Sequence, residues 1–233
     1  MNTSVTDFIL SLLNIVFLDR ILAGDNAIVI GLAARNLQGS TQKKAILLGT
    51  GGAVILRIIA TILVVWLLKV PWLLLFGGLL LIIITYRLLT GGNTEETGIE
   101  AGGTLWAAVR TIIIADAAMG LDNVIAIAGA AKHNITLVVL GLLISVPIVV
   151  WGSTLFIKLI NRYPWIIYIG SAVLGFTASS MITSEKQIAP YFEMHPLLQY
   201  LFIALVIAVI LAAGHWRRRR ADSGLPHSGS SSG

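Results

Sequence analysis

The sequence contains no cysteine, and its charged residues are few. Lys, Arg, Asp and Glu make up 12% of the 233 residues, whereas hydrophobic residues make up 57%. Because the chain has no thiol, it cannot form a disulfide, a zinc ribbon or a thiol redox motif. The charged share is about half of that in soluble domains. A water-soluble core cannot bury so much apolar surface, so the composition indicates a protein whose solvent is lipid.

Long apolar segments recur along the whole chain. Several reach the roughly 20 residues that a helix needs to cross a hydrocarbon core about 30 Å thick. We predict an all-α polytopic membrane protein with seven transmembrane helices, at roughly 8–34, 45–68, 72–90, 107–131, 135–157, 165–183 and 196–214. No Lys or Arg precedes Arg20. The basic start of a cleavable signal peptide is therefore missing, and we expect the first helix to be retained.

Basic residues predict the orientation of these helices. One side of the bundle would carry Arg35, Lys43, Lys44, Lys158, Arg162 and the four arginines at 217–220. The other side would carry Lys69, Lys132 and Lys186. The positive-inside rule then places the N-terminus outside and the C-terminus in the cytoplasm of a cell membrane, plasma or inner. Because these charges flank apolar segments, they indicate topology, and we expect no nucleic-acid partner.

An internal repeat is the most informative feature of the sequence. LDRILAGDNAIVIGLAA (18–34) aligns without gaps with ADAAMGLDNVIAIAGAA (115–131), and seven of the seventeen positions are identical. Matches of Ala and Ile are common in apolar sequence, but the matched polar pairs are not. These pairs are Asp19/Asp116, Asp25/Asp122 and Asn26/Asn123. Three predicted spans separate the copies, so the second copy enters the membrane from the opposite face, as in the inverted repeats of secondary transporters.

The repeat predicts how the chain is divided. Residues 1–90 form a first three-helix repeat, 91–106 a cytoplasmic linker loop, and 107–183 a second three-helix repeat. Residues 184–216 supply an external loop and a seventh transmembrane helix outside the repeat. Residues 217–233 form a basic cytoplasmic tail, whose low-complexity end resembles a linker or tag remnant.

Four carboxylates fall inside the repeated spans. They are Asp19, Asp25, Asp116 and Asp122. Insertion scales assign each intramembrane Asp a cost of about 2.5–3.5 kcal/mol, so the set needs a compensating role. Pairing with Arg20, Arg57 or Arg110, or capping of broken helices, is the structural alternative. Symmetric placement and an adjacent Asn in each copy are more than pairing requires.

The spacing of these residues favours a cation site. On a straight helix Asp19 and Asn26 share a face, and Asp25 lies about 120° away. Gly24 and Gly120 would allow either helix to unwind locally, and a discontinuous helix would gather the polar side chains. The predicted metal ligands are Asp19, Asp25, Asn26, Asp116, Asp122 and Asn123. Oxygen ligands without Cys or His suit Mg²⁺, Ca²⁺ or Mn²⁺, and the residues do not choose among these ions.

Other charged positions have open interpretations. Arg57, inside the second span, is a candidate counter-ion or gating partner of the carboxylates. Snorkelling toward the membrane surface or a structural ion pair are equally good interpretations. Near the predicted external face, the acidic and His residues are too scattered to form a ligand set; they are Glu185, Glu193, His133 and His195.

The chain resembles the TerC family, and in particular its short YjbE/YkoY-type members. The resemblance rests on DRILAGDNAIVI and DAAMGLDNVIAI, on the arrangement of three plus three plus one helices, and on the length. It implies a metal-ion exporter, manganese in particular, and it implies that the six ligands named above form the site. The family's association with tellurium resistance suggests no chemistry that these residues explain.

We therefore expect a secondary transporter that exports Mn²⁺ or a similar divalent cation by alternating access. No GxxxxGK[ST] pattern occurs, so an ATP-driven pump is not expected. Proton exchange is the economical form of coupling. We expect no enzymatic activity and no prosthetic group, with the metal ion and membrane lipid as partners. Export of another ion or small organic solute, a membrane-embedded enzyme using the Asp pairs, a homo-oligomer and a secretion-machinery partner remain alternatives.

Overall fold

The computed structural model describes residues 10, 12–13, 24–67, 69–90, 104–130 and 135–223, which form helices, turns and short connections without a strand. The helices are α1 (Gly24–Ala34), α2 (Gly39–Ile62), α3 (Val64–Leu67), α4 (Leu73–Thr90), α5 (Leu105–Ala130), α6 (Ile135–Arg162), α7 (Ile166–Thr183), α8 (Ala189–Met194) and α9 (Pro196–Ser223). The all-α prediction is confirmed for this part of the chain.

Five of the described helices, α2, α4, α6, α7 and α9, are long and apolar enough to cross a membrane. Helix α5 has 26 residues and is therefore about 39 Å long. Each of the predicted spans from the second to the seventh falls on one of these six helices. Helix α1 covers only the end of the first predicted span. The chain is thus a helical multi-pass membrane protein, and the count of seven spans stays a prediction.

The outer faces of the bundle suit lipid. Large apolar side chains such as Ile55, Ile83 and Leu205 are exposed toward the middle of their helices. Trp66 and Trp165 are exposed near helix ends, where an amphipathic ring lies between lipid headgroups and tails. In water, exposed apolar surface of this extent would cause the protein to associate with itself or with other molecules. In a bilayer the same surface contacts lipid tails, so its exposure carries no such cost.

Helices from the two halves of the chain pack mainly against each other. Helix α2 packs on α5, α1 on α6, and α4 on α7, while α1 also contacts α5 and α7. Helix α9 packs on α7 and α4. Most of its surface faces away from the bundle. The two helices that carry the repeated Asp-Asn motifs are therefore neighbours within the bundle.

Glycines permit the close approach of these three main helix pairs. A Cβ atom at Gly49 of α2 would lie 2.7 Å from Ile112 of α5. One at Gly31 of α1 would lie 2.7 Å from Phe156 of α6. One at Gly78 of α4 would lie 2.6 Å from the carbonyl oxygen of Ala178 in α7. Small residues at such contacts let membrane helices gain packing energy that lipid tails do not supply.

The second motif helix does not unwind. Helix α5 continues through Gly120 without a break. Unwinding would leave backbone N–H and C=O groups without partners in an apolar bundle, which costs more than the roughly 1 kcal/mol penalty of a helical glycine. Helix α1 begins at Gly24, and the residues before it lie outside the described part of the chain.

Glu185 has a structural role in the described bundle. Its buried carboxylate accepts hydrogen bonds from the backbone N–H groups of Leu74 and Leu75, at 3.0 and 3.4 Å. These groups belong to the first turn of α4, where backbone donors have no partner within the helix. A negative charge there is also favourable for the helix dipole. Glu185 thus joins the end of α7 to the start of α4.

Candidate functional site

Asp25 lies in the first turn of α1 and points toward α7. Its Oδ1 accepts a hydrogen bond from the backbone N–H of Asn26 at 2.9 Å. Its Oδ2 accepts one from the hydroxyl of Thr177 at 3.2 Å. The carbonyl oxygen of Val173 lies at the same distance from that hydroxyl and competes for its single proton. The carboxylate is therefore oriented but weakly held, and it retains acceptor capacity for a cation.

Asn26 supplies a buried oxygen next to this carboxylate. The residue is 4% exposed, and its Oδ1 has no hydrogen-bond partner in the described part of the chain. Buried amide oxygens are almost always paired, because an unpaired one loses its interaction with water without compensation. Coordination of a cation would satisfy this oxygen. Asn26 therefore fits the predicted role of a ligand.

Asp116 of α5 forms an ion pair with Arg57 of α2. The Nη2 of Arg57 donates a hydrogen bond to Oδ1 of Asp116 at 2.5 Å. The two side chains are 6% and 12% exposed. Because Arg57 is directed into the bundle, the snorkelling interpretation is wrong.

A cavity of about 170 Å³ adjoins this ion pair. Its lining consists of Leu56, Arg57, Ala60, Leu67, Asp116, Ala117, Gly120 and Val124. Apart from the ion pair, the lining residues that the structure describes are apolar. A Cβ atom at Gly120 would lie 3.9 Å from both Nε of Arg57 and Oδ2 of Asp116. The absence of a side chain at Gly120 therefore keeps space open beside both charges.

Part of the predicted ligand set lies on helices that contact each other. Asp25 and Asn26 of α1 and Asp116 of α5 lie on contacting helices. Positions 122 and 123 lie in α5, but their side chains are outside the described part of the chain, as is the whole of Asp19. Within the described residues, no group of three or more His, Asp or Glu side chains is close enough to hold a metal. The six-ligand cage therefore stays a prediction.

Sequence reasoning missed Thr177 as a neighbour of Asp25. The available signal was a hydroxyl residue in an otherwise apolar helix, which is a weak one. Such hydroxyls commonly donate to the carbonyl four residues earlier, as the Thr177 hydroxyl can to Val173. Only the packing of α1 on α7 distinguishes Thr177 from Thr85, which donates to Leu81 within its own helix.

The sequence of this chain is similar to those of known membrane proteins. Residues 4–222 match a family described as "Integral membrane protein TerC family". The chain is 41% identical over 207 residues to "Uncharacterized membrane protein YjbE" of Bacillus subtilis, across 89% of this chain and 94% of that protein. It is 25% identical to "Uncharacterized membrane protein YkoY" of the same organism, across 66% and 53%.

A more distant similarity joins the chain to a longer protein. It is 24% identical to "UPF0053 inner membrane protein YoaE" of Escherichia coli, across 90% of this chain but 43% of that protein. No solved structure gives a significant match.

Proposed function

Because this chain belongs to the integral membrane protein TerC family, which is implicated in ion transport or tellurite resistance, we propose that it exports divalent cations, with Mn²⁺ as the expected substrate. One observation carries the proposal. Asp25 and Asp116 lie on the contacting helices α1 and α5, and the buried amide oxygen of Asn26, next to Asp25, has no hydrogen-bond partner among the described residues. Hard divalent cations prefer such oxygen ligands.

Transport is better supported than catalysis. A membrane-embedded enzyme would use the aspartates as acid and base on a reactant held beside them. Among the described residues that line the cavity next to Asp116, the ion pair supplies the polar groups. Asp116 itself is engaged by Arg57. We therefore propose a carrier without enzymatic activity, and proton coupling stays a prediction about its mechanism.

An inverted repeat of three plus three helices, followed by α9, is part of the proposal. A twofold relation between the halves would exchange the α2–α5 pair with the α1–α6 pair and map the α4–α7 pair onto itself. All three pairs are among the main helix contacts. The starts of α4 and α7 add support, because Pro71, Trp72 and Gly77 recur 93 residues later as Pro164, Trp165 and Gly170. Inverted repeats place a substrate site at their interface.

Metal flux through the purified full chain tests the function. In proteoliposomes loaded with a Mn²⁺-sensitive dye, we expect Mn²⁺ influx well above that of protein-free vesicles. Competition by Ca²⁺, Mg²⁺ and a small organic cation then ranks the substrates. Absence of flux for every divalent ion, together with turnover of a lipid or peptide substrate, would favour the enzyme instead.

Orientation is a separate expected result. The chain has no native cysteine, so single cysteines report their own location. Ser40 at the start of α2 and Glu193 in α8 are exposed, and position 224 lies in the tail. With the N-terminus outside, cysteines at Ser40 and Gly224 should resist an impermeant thiol reagent added to intact cells, whereas one at Glu193 should react. Labelling of all three from outside would contradict the inverted repeat.

A further inference from the structure

Arg57 is a fixed positive charge placed on a proposed metal ligand. Its guanidinium stays protonated at every physiological pH, and it is paired with Asp116 in the bundle interior. A divalent cation that binds Asp116 would meet this charge at the same carboxylate. Two cations cannot share one carboxylate in a medium of low polarity without strong repulsion. Metal binding and the Arg57–Asp116 pair are therefore in competition.

Arg57 is also asymmetric with respect to the repeat. When the sequence of α2 is aligned with that of α6 so that Gly49 matches Gly141, the residue equivalent to Arg57 is Val149. Helix α6 carries no charged residue before Lys158. A residue needed only to fold each half would be expected in both halves. Within the described residues, one arginine pairs with a carboxylate of the proposed site, as neutralisation of a single shared site requires.

We infer that Arg57 is a tethered cation that occupies the Asp116 part of the transport site whenever the metal is absent, which lets the empty carrier reorient without a bound ion. This inference rests on the proposed function. An empty site with uncompensated carboxylates would resist movement through the apolar bundle, because unpaired intramembrane charge is costly. The Arg57–Asp116 pair reduces that charge without a co-transported ion, and the metal must displace it in order to bind.

The cavity beside the pair gives the displaced guanidinium room. Its volume of about 170 Å³ exceeds that of several water molecules, each of which takes about 30 Å³ in the liquid. The ion pair lies in its wall, and Gly120 leaves the space next to both charged groups empty. This is the space that the side chain of Arg57 would enter when the metal displaces it from Asp116.

Charge removal in the full-length protein tests the inference. In proteoliposomes, three quantities are measured for each variant: the Kd for Mn²⁺, net Mn²⁺ efflux into metal-free buffer, and exchange of Mn²⁺ across a membrane with metal on both sides. For Arg57→Gln we expect about tenfold tighter Mn²⁺ binding and about tenfold slower net Mn²⁺ efflux. A tenfold effect lies within the usual range for coupling between two binding events. Exchange needs no empty carrier, so it should stay within about twofold of the parent rate. Arg57→Lys should restore net efflux.

Matched variants separate charge from structure. Arg110→Gln removes an exposed arginine of α5 and should leave all three quantities unchanged. Gly120→Val keeps every charge but fills the cavity, so it should weaken Mn²⁺ binding by about tenfold without lowering metal-free stability. If Arg57→Gln does not fold, the Mn²⁺ affinity of Gly120→Val tests the inference in its place. Parent-like Mn²⁺ affinity in folded Gly120→Val would then overturn the inference.

The remaining outcomes are equally decisive. A structural ion pair alone predicts that Arg57→Gln lowers binding, net efflux and exchange together, and this result overturns the inference while leaving the proposed function in place. Unchanged values for Arg57→Gln do the same. If the parent neither binds nor moves Mn²⁺ or another divalent ion, the proposed function itself is wrong, and the inference is overturned with it.

Discussion

Asp25→Asn is expected to abolish metal export while leaving the fold intact. The substitution removes one negative charge from the proposed cation site, and we expect the Mn²⁺ affinity to fall by about 100-fold or more, since even residues that only support metal ligands contribute about 10–100-fold. The new amide keeps an oxygen that can accept the hydrogen bond of Thr177. Neutralising an intramembrane carboxylate removes an insertion penalty of about 2.5–3.5 kcal/mol, so stability should be unchanged or higher.

The measurements are Mn²⁺ export by cells and thermal unfolding of detergent-purified protein with and without Mn²⁺. Thr177→Val is the matched control, because it removes the hydrogen bond to Asp25 but keeps the carboxylate. It should retain metal-dependent stabilisation. The repeat mate Asp122→Asn is expected to behave as Asp25→Asn does. Parent rates of export and full stabilisation by Mn²⁺ in both Asn variants would show that these aspartates do not bind the metal and have only a structural role.

Asp116→Asn is expected to have a different effect, a large loss of stability. Asp116 is the buried partner of Arg57, and removal of one member of a buried ion pair leaves the other charge uncompensated. Such changes cost about 3–5 kcal/mol in soluble proteins. We therefore expect the unfolding free energy of metal-free Asp116→Asn to fall by about that amount, in contrast to the neutral or stabilising change at Asp25. Equilibrium unfolding in mixed micelles measures the difference.

A double substitution provides the control for this second result. Replacement of a whole buried ion pair by apolar residues is often neutral or stabilising. The adjoining cavity gives room for a Leu side chain at position 116, which is larger than that of Asp. The variant with both Arg57→Leu and Asp116→Leu should therefore recover parent stability or exceed it, yet bind no Mn²⁺. A double-mutant cycle isolates the pair interaction. Equal losses in Asp116→Asn and the double variant would mean that the ion pair contributes nothing to the fold.

Much of the fold follows from the sequence alone. Lipid forces every backbone polar group to be satisfied within its own helix, so long apolar segments predict helices directly. The six predicted spans from 45–68 onward accordingly lie on α2, α4, α5, α6, α7 and α9. The rarity of Asp and Asn in apolar segments likewise singles out Asp25, Asn26 and Asp116 as candidate ligands. These properties depend on near neighbours in the chain, which the sequence specifies.

Tertiary structure alone decided which polar groups meet. Arg57 pairs with Asp116, 59 residues away, and Asp25 accepts from Thr177, 152 residues away. Composition allowed Arg57 other partners or a snorkelling position, and it allowed a break in α5 at Gly120. Which polar groups become partners depends on how the helices are rotated and how closely they approach. The close approach of Gly49 in α2 to Ile112 in α5 is one example. Hydropathy assigns a residue to a helix in the membrane, whereas only packing determines which face of that helix meets which neighbour.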